Sequence, residues 1–351
     1  MKHFALAHAA GTWGKSVELC AARLGRPGGG LGFVYLTDAL VDDAQKIVAA
    51  LRERTGVADW VGTVGTGVIA TGTEYQDEPA LAVMVADLDS SQYGVFSGKS
   101  PLRGASRHFA VVHADPQAPE IPGLLTDLSA RLGSGYLIGG ISSSRTKTVQ
   151  VANDVVSGGL SGVALNADVA LATRLTQGCT PLPGRFRITS CDENVIAQLD
   201  GRPALEVLLE LAGQDLSKGA QLLVGLPVHG SDTGDYVVRN LVGIDRRHKL
   251  IAIGDSVEPG AELMFCRRDQ AAAREDMGRL LRALKGAAPA PRGGLYFSCV
   301  ARGEHMFGGR GAELGLIRDA LGDVPLVGFF CNGEISHDRL YGYTGVLALF
   351  S

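Results

Sequence analysis

The side chains best suited to chemistry gather near the C-terminus. Cys331, Asn332 and Glu334 surround Gly333, and Cys299 and Arg302 close an apolar run some thirty residues earlier. An ionisable thiol, an amide and a carboxylate beside a glycine let both backbone amides and side chains approach a small ligand. Arg302 can grip a carboxylate through two parallel bonds, and Glu334 can receive an ammonium group. The pair therefore suits an amino acid or a similar zwitterion bound without catalysis. The plainer reading is an Arg302–Glu334 ion pair that serves structure alone. Two further loops have related composition: Gln177-Gly178-Cys179, followed by Pro181 and Pro183, and Gly139-Gly140 followed by Ser142, Ser143, Ser144 and Arg145. If the chain is internally repeated, these loops can converge with the first on one pocket, with Gly140, Ser142, Arg145, Gly178 and Cys179 as further ligand-binding residues.

Other chemistries find little support. Gly62, Gly65 and Gly67 follow a strand but lack the order of a dinucleotide fingerprint and a phosphate-binding lysine, and Gly28-Gly29-Gly30 precedes a strand instead of linking strand to helix. No GxSxG or HExxH occurs, and His229, His248, His305 and His337 lack metal-ligand spacing among themselves. The six cysteines are scattered without a CxxC pair, so they read as reduced, mostly buried thiols. A thiol switch or enzyme using Cys331 would need a depressed thiol pKa.

The elements that must hold these loops recur three times. Phe33–Leu36, His108–Val112 and Gly294–Val300 read as buried strands, each followed by an amphipathic helix: Asp43–Thr55, Gly123–Leu132 and Ala312–Leu321. A glycine-bearing strand comes next (60–69, 136–141, 326–335), then a polar connection able to form a hairpin, then a closing strand (80–85, 161–165, 343–350). The fold class expected is therefore α/β (α+β), with repeated β-α-β-β units forming mixed sheets packed between helices in two related domains. A boundary is expected near Asp200-Gly201, giving parts 1–201 and 202–351, the second with a β-rich stretch Tyr236–Cys266 and a long helix Gln270–Lys285.

At 351 residues the chain exceeds the size at which one core stops growing. Glycine, at 48 residues or about 14%, is roughly twice its usual share and falls at strand ends and turns. A net charge of −4 gives no basic footprint for nucleic acid or anionic membranes. No apolar run reaches membrane-spanning length and the N-terminus makes a poor secretion signal, so a cytoplasmic location is expected.

These residues resemble the FIST family. The N-terminal likeness lies in Val61–Ile69, Glu74 and Leu137–Gly140; the junction in Gln177–Cys179, Asn194–Ile196 and Leu199–Leu205; the most specific part in Arg302-Gly303 and Pro325–Ile335. The resemblance implies a bacterial, cytoplasmic input module for signal transduction that binds small ligands such as amino acids. Many relatives carry chemoreceptor, cyclase or kinase modules. None is visible here, so a separately encoded partner such as a histidine kinase or cyclase is expected. Some relatives are haem-binding nitric-oxide sensors, which keeps haem as a possible cofactor. A eukaryotic branch sits in F-box proteins, and no F-box is visible.

Overall fold

Three glycines organise the largest part of the molecule. In the computed structural model, which describes residues 4–27, 29–102, 107–215, 221–228 and 236–351, Gly62, Gly139 and Gly328 occupy the same place in three successive repeats. Each lies on a strand running parallel to the repeat's first strand, in register with Val34, Val112 and Tyr296 respectively. A Cβ on these glycines would fall 1.7, 1.8 and 1.6 Å from the carbonyl oxygens of Val34, Val112 and Tyr296. No other residue fits there, which is why the glycine segments echo one another in the sequence. Gly328→Ala is expected to cost stability at the upper end of the roughly 1–3 kcal/mol of an overpacked core. Gly315→Ala, on a helix with open space at its Cβ, should instead stabilise by roughly 0.5–1 kcal/mol. Urea unfolding of the two variants checks both signs.

The repeats share one topology. First strands Leu31–Thr37, Phe109–Ala114 and Gly293–Cys299 lead through helices Ala44–Thr55, Ile121–Ser129 and Ala312–Leu321 to glycine strands Asp59–Gly65, Tyr136–Ile141 and Leu326–Cys331. The helices are needed because parallel neighbours require a crossover. Closing strands Ala80–Ala86, Leu160–Leu165 and Gly345–Phe350 return antiparallel to the first strands. Outer strands Phe4–Ala10, Tyr93–Phe96 and Leu171–Thr176 pair with the closing strands, again antiparallel. Most of these strands are covered on both faces, so they read as continuous apolar runs without alternation.

The polar connections do form hairpins, but each joins the sheet of a different repeat. Gly67–Ala70 and Thr73–Gln76 extend the third repeat's sheet; Gln150–Ala152 and Asp154–Val156 extend the first; Glu334–Ser336 and Arg339–Tyr341 extend the second. The exchange is cyclic and covers the edge that each glycine strand would otherwise expose. The result is three six-stranded sheets around a shared core, with helices on their outer faces. At its centre Tyr35, His113 and Phe297, equivalent residues of the three first strands, meet ring to ring at 5.6, 6.3 and 6.5 Å. The Tyr35 hydroxyl bonds His113 Nε2 at 3.2 Å. Burial pulls the His113 pKa down to about 3, so the ring is neutral at physiological pH.

Residues 1–176 and 278–351 form this threefold unit, and residues 177–277 form a second one. In chain order the second unit is inserted between the outer and first strands of the third repeat. The boundary expected at residues 201 and 202 separates sequence regions, whereas the compact units divide the chain near residues 176 and 277.

In the second unit six antiparallel strands close on themselves: Glu262–Arg268, Phe186–Asp192, Val195–Leu199, Leu250–Ile253, Tyr236–Asp245 and Gln221–Pro227, the last pairing back to the first. Closure removes free edges. Ile188, Val224, Ile251, Ile253 and Phe265 pack with Ala204, Leu205 and Leu208 of helix Ala204–Asp215. Among the described residues no helix is long and apolar enough to cross a membrane. His229 lies outside the described residues.

Candidate functional site

The third repeat places its chemistry where two parallel strands end. Cys299 and Cys331 are register partners at the ends of Gly293–Cys299 and Leu326–Cys331. Beyond Cys331 the chain turns through exposed Asn332 and through Gly333, whose φ of +128° favours glycine, and it enters the hairpin at Glu334. Beyond Cys299 it turns back on itself, with the Arg302 N–H donating to the Cys299 carbonyl at 2.8 Å.

Arg302 does not pair with Glu334. Its Nε and Nη2 donate to Glu313 Oε1 at 2.8 and 2.6 Å, Nη1 donates to the Tyr343 carbonyl at 3.3 Å, and the guanidinium lies 5.0 Å above the Phe307 ring. Glu313, in the first turn of helix Ala312–Leu321, also accepts from the Tyr296 hydroxyl at 2.5 Å and from Ser298 Oγ at 3.1 Å. Both partners are almost wholly enclosed, at 3% and 2% exposure. Both oxygens of the Glu313 carboxylate are thus hydrogen-bonded within the third repeat, as a buried charged pair requires.

Glu334 is different. It has no exposed surface, and Oε2 accepts from the Thr344 N–H at 3.1 Å and from Thr344 Oγ1 at 2.7 Å. Oε1 has no hydrogen-bond partner of good geometry. The Cys299 thiol reaches the carboxyl group only as a weak donor. Burial pushes the Glu334 pKa up to about 8, against the pull of the Thr344 bonds and of Arg302. Burial likewise raises the Cys299 thiol to about 12 and Cys331 well above its ordinary value. Cys331 is therefore a thiol at neutral pH and lacks the ionisation that a reactive thiol needs. Glu74, almost fully buried on the first repeat's hairpin, is also raised, first by burial and further by nearby Glu313.

Two of the three loops singled out in the sequence come together. Glu334 is in register with Gly140, where a Cβ would sit 2.4 Å from Cys331 Sγ. Asn332 N–H donates to the Ile141 carbonyl at 3.0 Å, and Ile141 N–H donates to Gly333 O at 2.9 Å. Ser143 Oγ donates to the Phe330 carbonyl at 2.5 Å, and Ser142 Oγ bonds Thr63 Oγ1 at 2.6 Å. Arg145 leads elsewhere: its Nε and Nη2 grip Asp38 at 2.8 and 2.7 Å, and Nη1 reaches Asp77 at 2.5 Å. That guanidinium holds the Asp38 carboxyl below its usual range. Gly178 and Cys179 belong to the second compact unit.

Tyr296, Ser298, Glu313 and Thr344 were missed as participants. The sequence held one signal for two of them, since Tyr296 and Ser298 interrupt an apolar strand at alternate positions and so share a face.

Residues 30–202 match the FIST N domain, and residues 204–337 match the FIST C domain. The chain belongs to the FIST family. FIST domains are ligand-binding sensory modules of signal transduction. This FIST protein is 32% identical over 337 residues to the uncharacterized protein MT0656 of Mycobacterium tuberculosis, a match spanning 88% of each chain. It is 28% identical over 342 residues to the uncharacterized protein Mb0898c of Mycobacterium bovis, covering 89% of this chain and 88% of the relative. Within the FIST C match lie Arg302, Glu313 and Glu334, and within the FIST N match lie Glu74 and Gly140.

Proposed function

We propose that this FIST protein is an input module whose small ligand presents an ammonium or similar cationic donor to Glu334. The observation that carries this reading is Oε1 of the fully buried Glu334 carboxyl group, which no strong hydrogen-bond donor reaches. Glu313 and Glu334 both lie buried near the Arg302 guanidinium, and Glu313 in turn raises buried Glu74, so these groups carry excess negative charge unless protons or a cation offset it. An amine supplies both the charge and the missing hydrogen bond. Because Glu313 occupies Arg302, the amino-acid reading rests on the ammonium end of the ligand and not on its carboxylate.

Entry requires the Asn332–Gly333 turn to open, and that turn leads into a hairpin paired with the second repeat's sheet. Occupancy of Glu334 would thereby be felt in two sheets at once. A separately encoded kinase or cyclase in the cytoplasm would read the change.

A thermal-shift screen with glycine, methylammonium, acetate and haemin tests the proposal. A ligand at a hundred times its Kd adds roughly 2.7 kcal/mol, or several degrees in Tm at about 2–4 °C per kcal/mol. Glycine and methylammonium should shift the wild type, acetate should not, and Glu334→Gln should lose the response. Shifts by acetate alone, or shifts that survive Glu334→Gln, would contradict the assignment. A haemin hit with a Soret band would favour the gas-sensor reading instead.

A further inference from the structure

The second compact unit contains a pair of thiols in surroundings unlike those of Cys299 and Cys331. Its first turn is clamped from several sides. The N–H groups of Gln177 and Gly178 both donate to Asp276 Oδ2, at 2.6 and 3.2 Å, and Gln177 Nε2 donates to the Tyr236 carbonyl at 2.9 Å. The Tyr236 hydroxyl donates to the Cys179 carbonyl at 3.1 Å and lies 3.7 Å from Cys179 Sγ.

Cys266 reaches the same place from strand Glu262–Arg268. Pro181 is its register partner, so Cys179, two residues earlier, falls on the same face along the diagonal. A Cβ on Gly225 would lie 2.9 Å from a Tyr236 ring carbon and 3.0 Å from Cys266 Sγ, which puts the phenol and the second thiol in one small space. The Tyr236 side chain thus spans the two thiols, its hydroxyl beside Cys179 and its ring edge in the same small space as Cys266. Tyr236 also borders a hollow of about 300 Å³, lined by Pro181, Leu182, Gly184, Arg185 and Met264 as well.

We propose that Cys179 and Cys266 form a redox-active dithiol, which a small hydroperoxide entering by this hollow converts to a disulfide. The Cys179 thiolate attacks the peroxide O–O bond, forming S–O and expelling the other oxygen as an alcohol or water once protonated. The Cys266 sulfur then attacks the sulfenic sulfur, forming S–S and releasing the bound oxygen as water. Two thiols are oxidised by two electrons and one peroxide is reduced, so the step balances.

Position assigns the roles: Cys179 touches the hydroxyl of Tyr236, which borders the hollow, whereas Cys266 is wholly enclosed. The neighbouring Cys266 thiol is the main influence lowering the Cys179 pKa, and Cys179, with burial, raises that of Cys266. Cys179 is thus the attacking sulfur and Cys266 the resolving one. A disulfide needs Cα atoms about 4.4–6.8 Å apart, closer than the roughly 7–8 Å of a regular ladder diagonal. Oxidation must therefore draw Thr180 and Pro181 inward. They form a two-residue strand with both side chains exposed, the kind of segment that can give.

Peptide mapping of the full chain decides the matter. After equimolar hydrogen peroxide, alkylation and digestion without reductant, the expected product is one cross-linked pair of peptides holding Cys179 and Cys266. It should be lighter by two hydrogens than the separate peptides and restored by dithiothreitol, with four of the six thiols still alkylated. In Cys266→Ser, Cys179 should stop as a sulfenic acid trapped by dimedone. Recovery of Cys179 as a free, alkylated thiol after peroxide, or oxidation of half-buried Cys191 in its place, would overturn the proposal. The wild-type map needs no variant to fold.

Discussion

Glu334→Gln is expected to make the ligand-free protein more stable at pH 9 while leaving it nearly unchanged at pH 5. The folded chain holds a proton on Glu334 up to about pH 8, whereas the unfolded chain gives it up near the ordinary value of 4.5. Stability from this group is therefore fully present below pH 4.5, falls as pH rises, and is lost above about 8. A shift of this size in a fully buried group corresponds to a loss on the order of 5 kcal/mol. Glutamine keeps the acceptor for Thr344 and has no charge to bury. Urea unfolding from pH 5 to 9 should show a falling midpoint for the wild type and a flatter line for the variant. Parallel curves would mean that Glu334 titrates as an exposed carboxyl does.

The second large effect concerns Arg302. Arg302→Met should cost about 3–5 kcal/mol at pH 7, because it leaves Glu313 buried without its cation. Arg302→Met combined with Glu313→Gln should recover most of that loss. The amide oxygen can still accept from one of Tyr296 and Ser298 while its NH2 donates to the other hydroxyl, and no charge remains to be paired. The single variant should also raise the Glu334 titration midpoint, since Arg302 is one of the influences holding it down. A single variant as stable as wild type in a urea melt would mean that the Arg302–Glu313 bond contributes nothing net.

The repeats were legible because backbone geometry left a mark on the sequence. Gly62, Gly139 and Gly328 each face a carbonyl oxygen too closely for any side chain, and the apolar strands and amphipathic helices around them keep their order. The destination of each hairpin was not legible. Periodicity shows that 334–336 is extended, but nothing local distinguishes pairing with its own repeat from pairing with Gly140 of another. Nor does the sequence of 177–277 reveal barrel closure, which depends on Gln221–Pro227 meeting Glu262–Arg268 across forty residues.

The site was half visible for a similar reason. Cys299, Cys331, Gly333 and Glu334 stand out by type and spacing, and they do meet. The partner of Arg302 was misjudged because Glu313 opens a helix, where an acidic residue already has a local explanation in the helix dipole. The thiol with the lowered pKa was not legible either. Burial denies Cys331 the depressed pKa that a thiol switch would need, while Cys179 is lowered by a thiol that lies 87 residues away in sequence.

The protonation state of the Glu334 carboxyl group tests its assignment as the ligand's receiver most directly. With the glutamate side chains labelled with carbon-13 and Glu334 assigned through Glu334→Gln, its carboxyl shift at pH 7 should report a protonated acid in the free protein. Adding methylammonium or glycine should move that signal to the carboxylate position along a saturable curve, while acetate leaves it in place. A signal already at the carboxylate position without ligand, or one that no amine moves, would contradict the claim that Glu334 is the receiving group of this sensor.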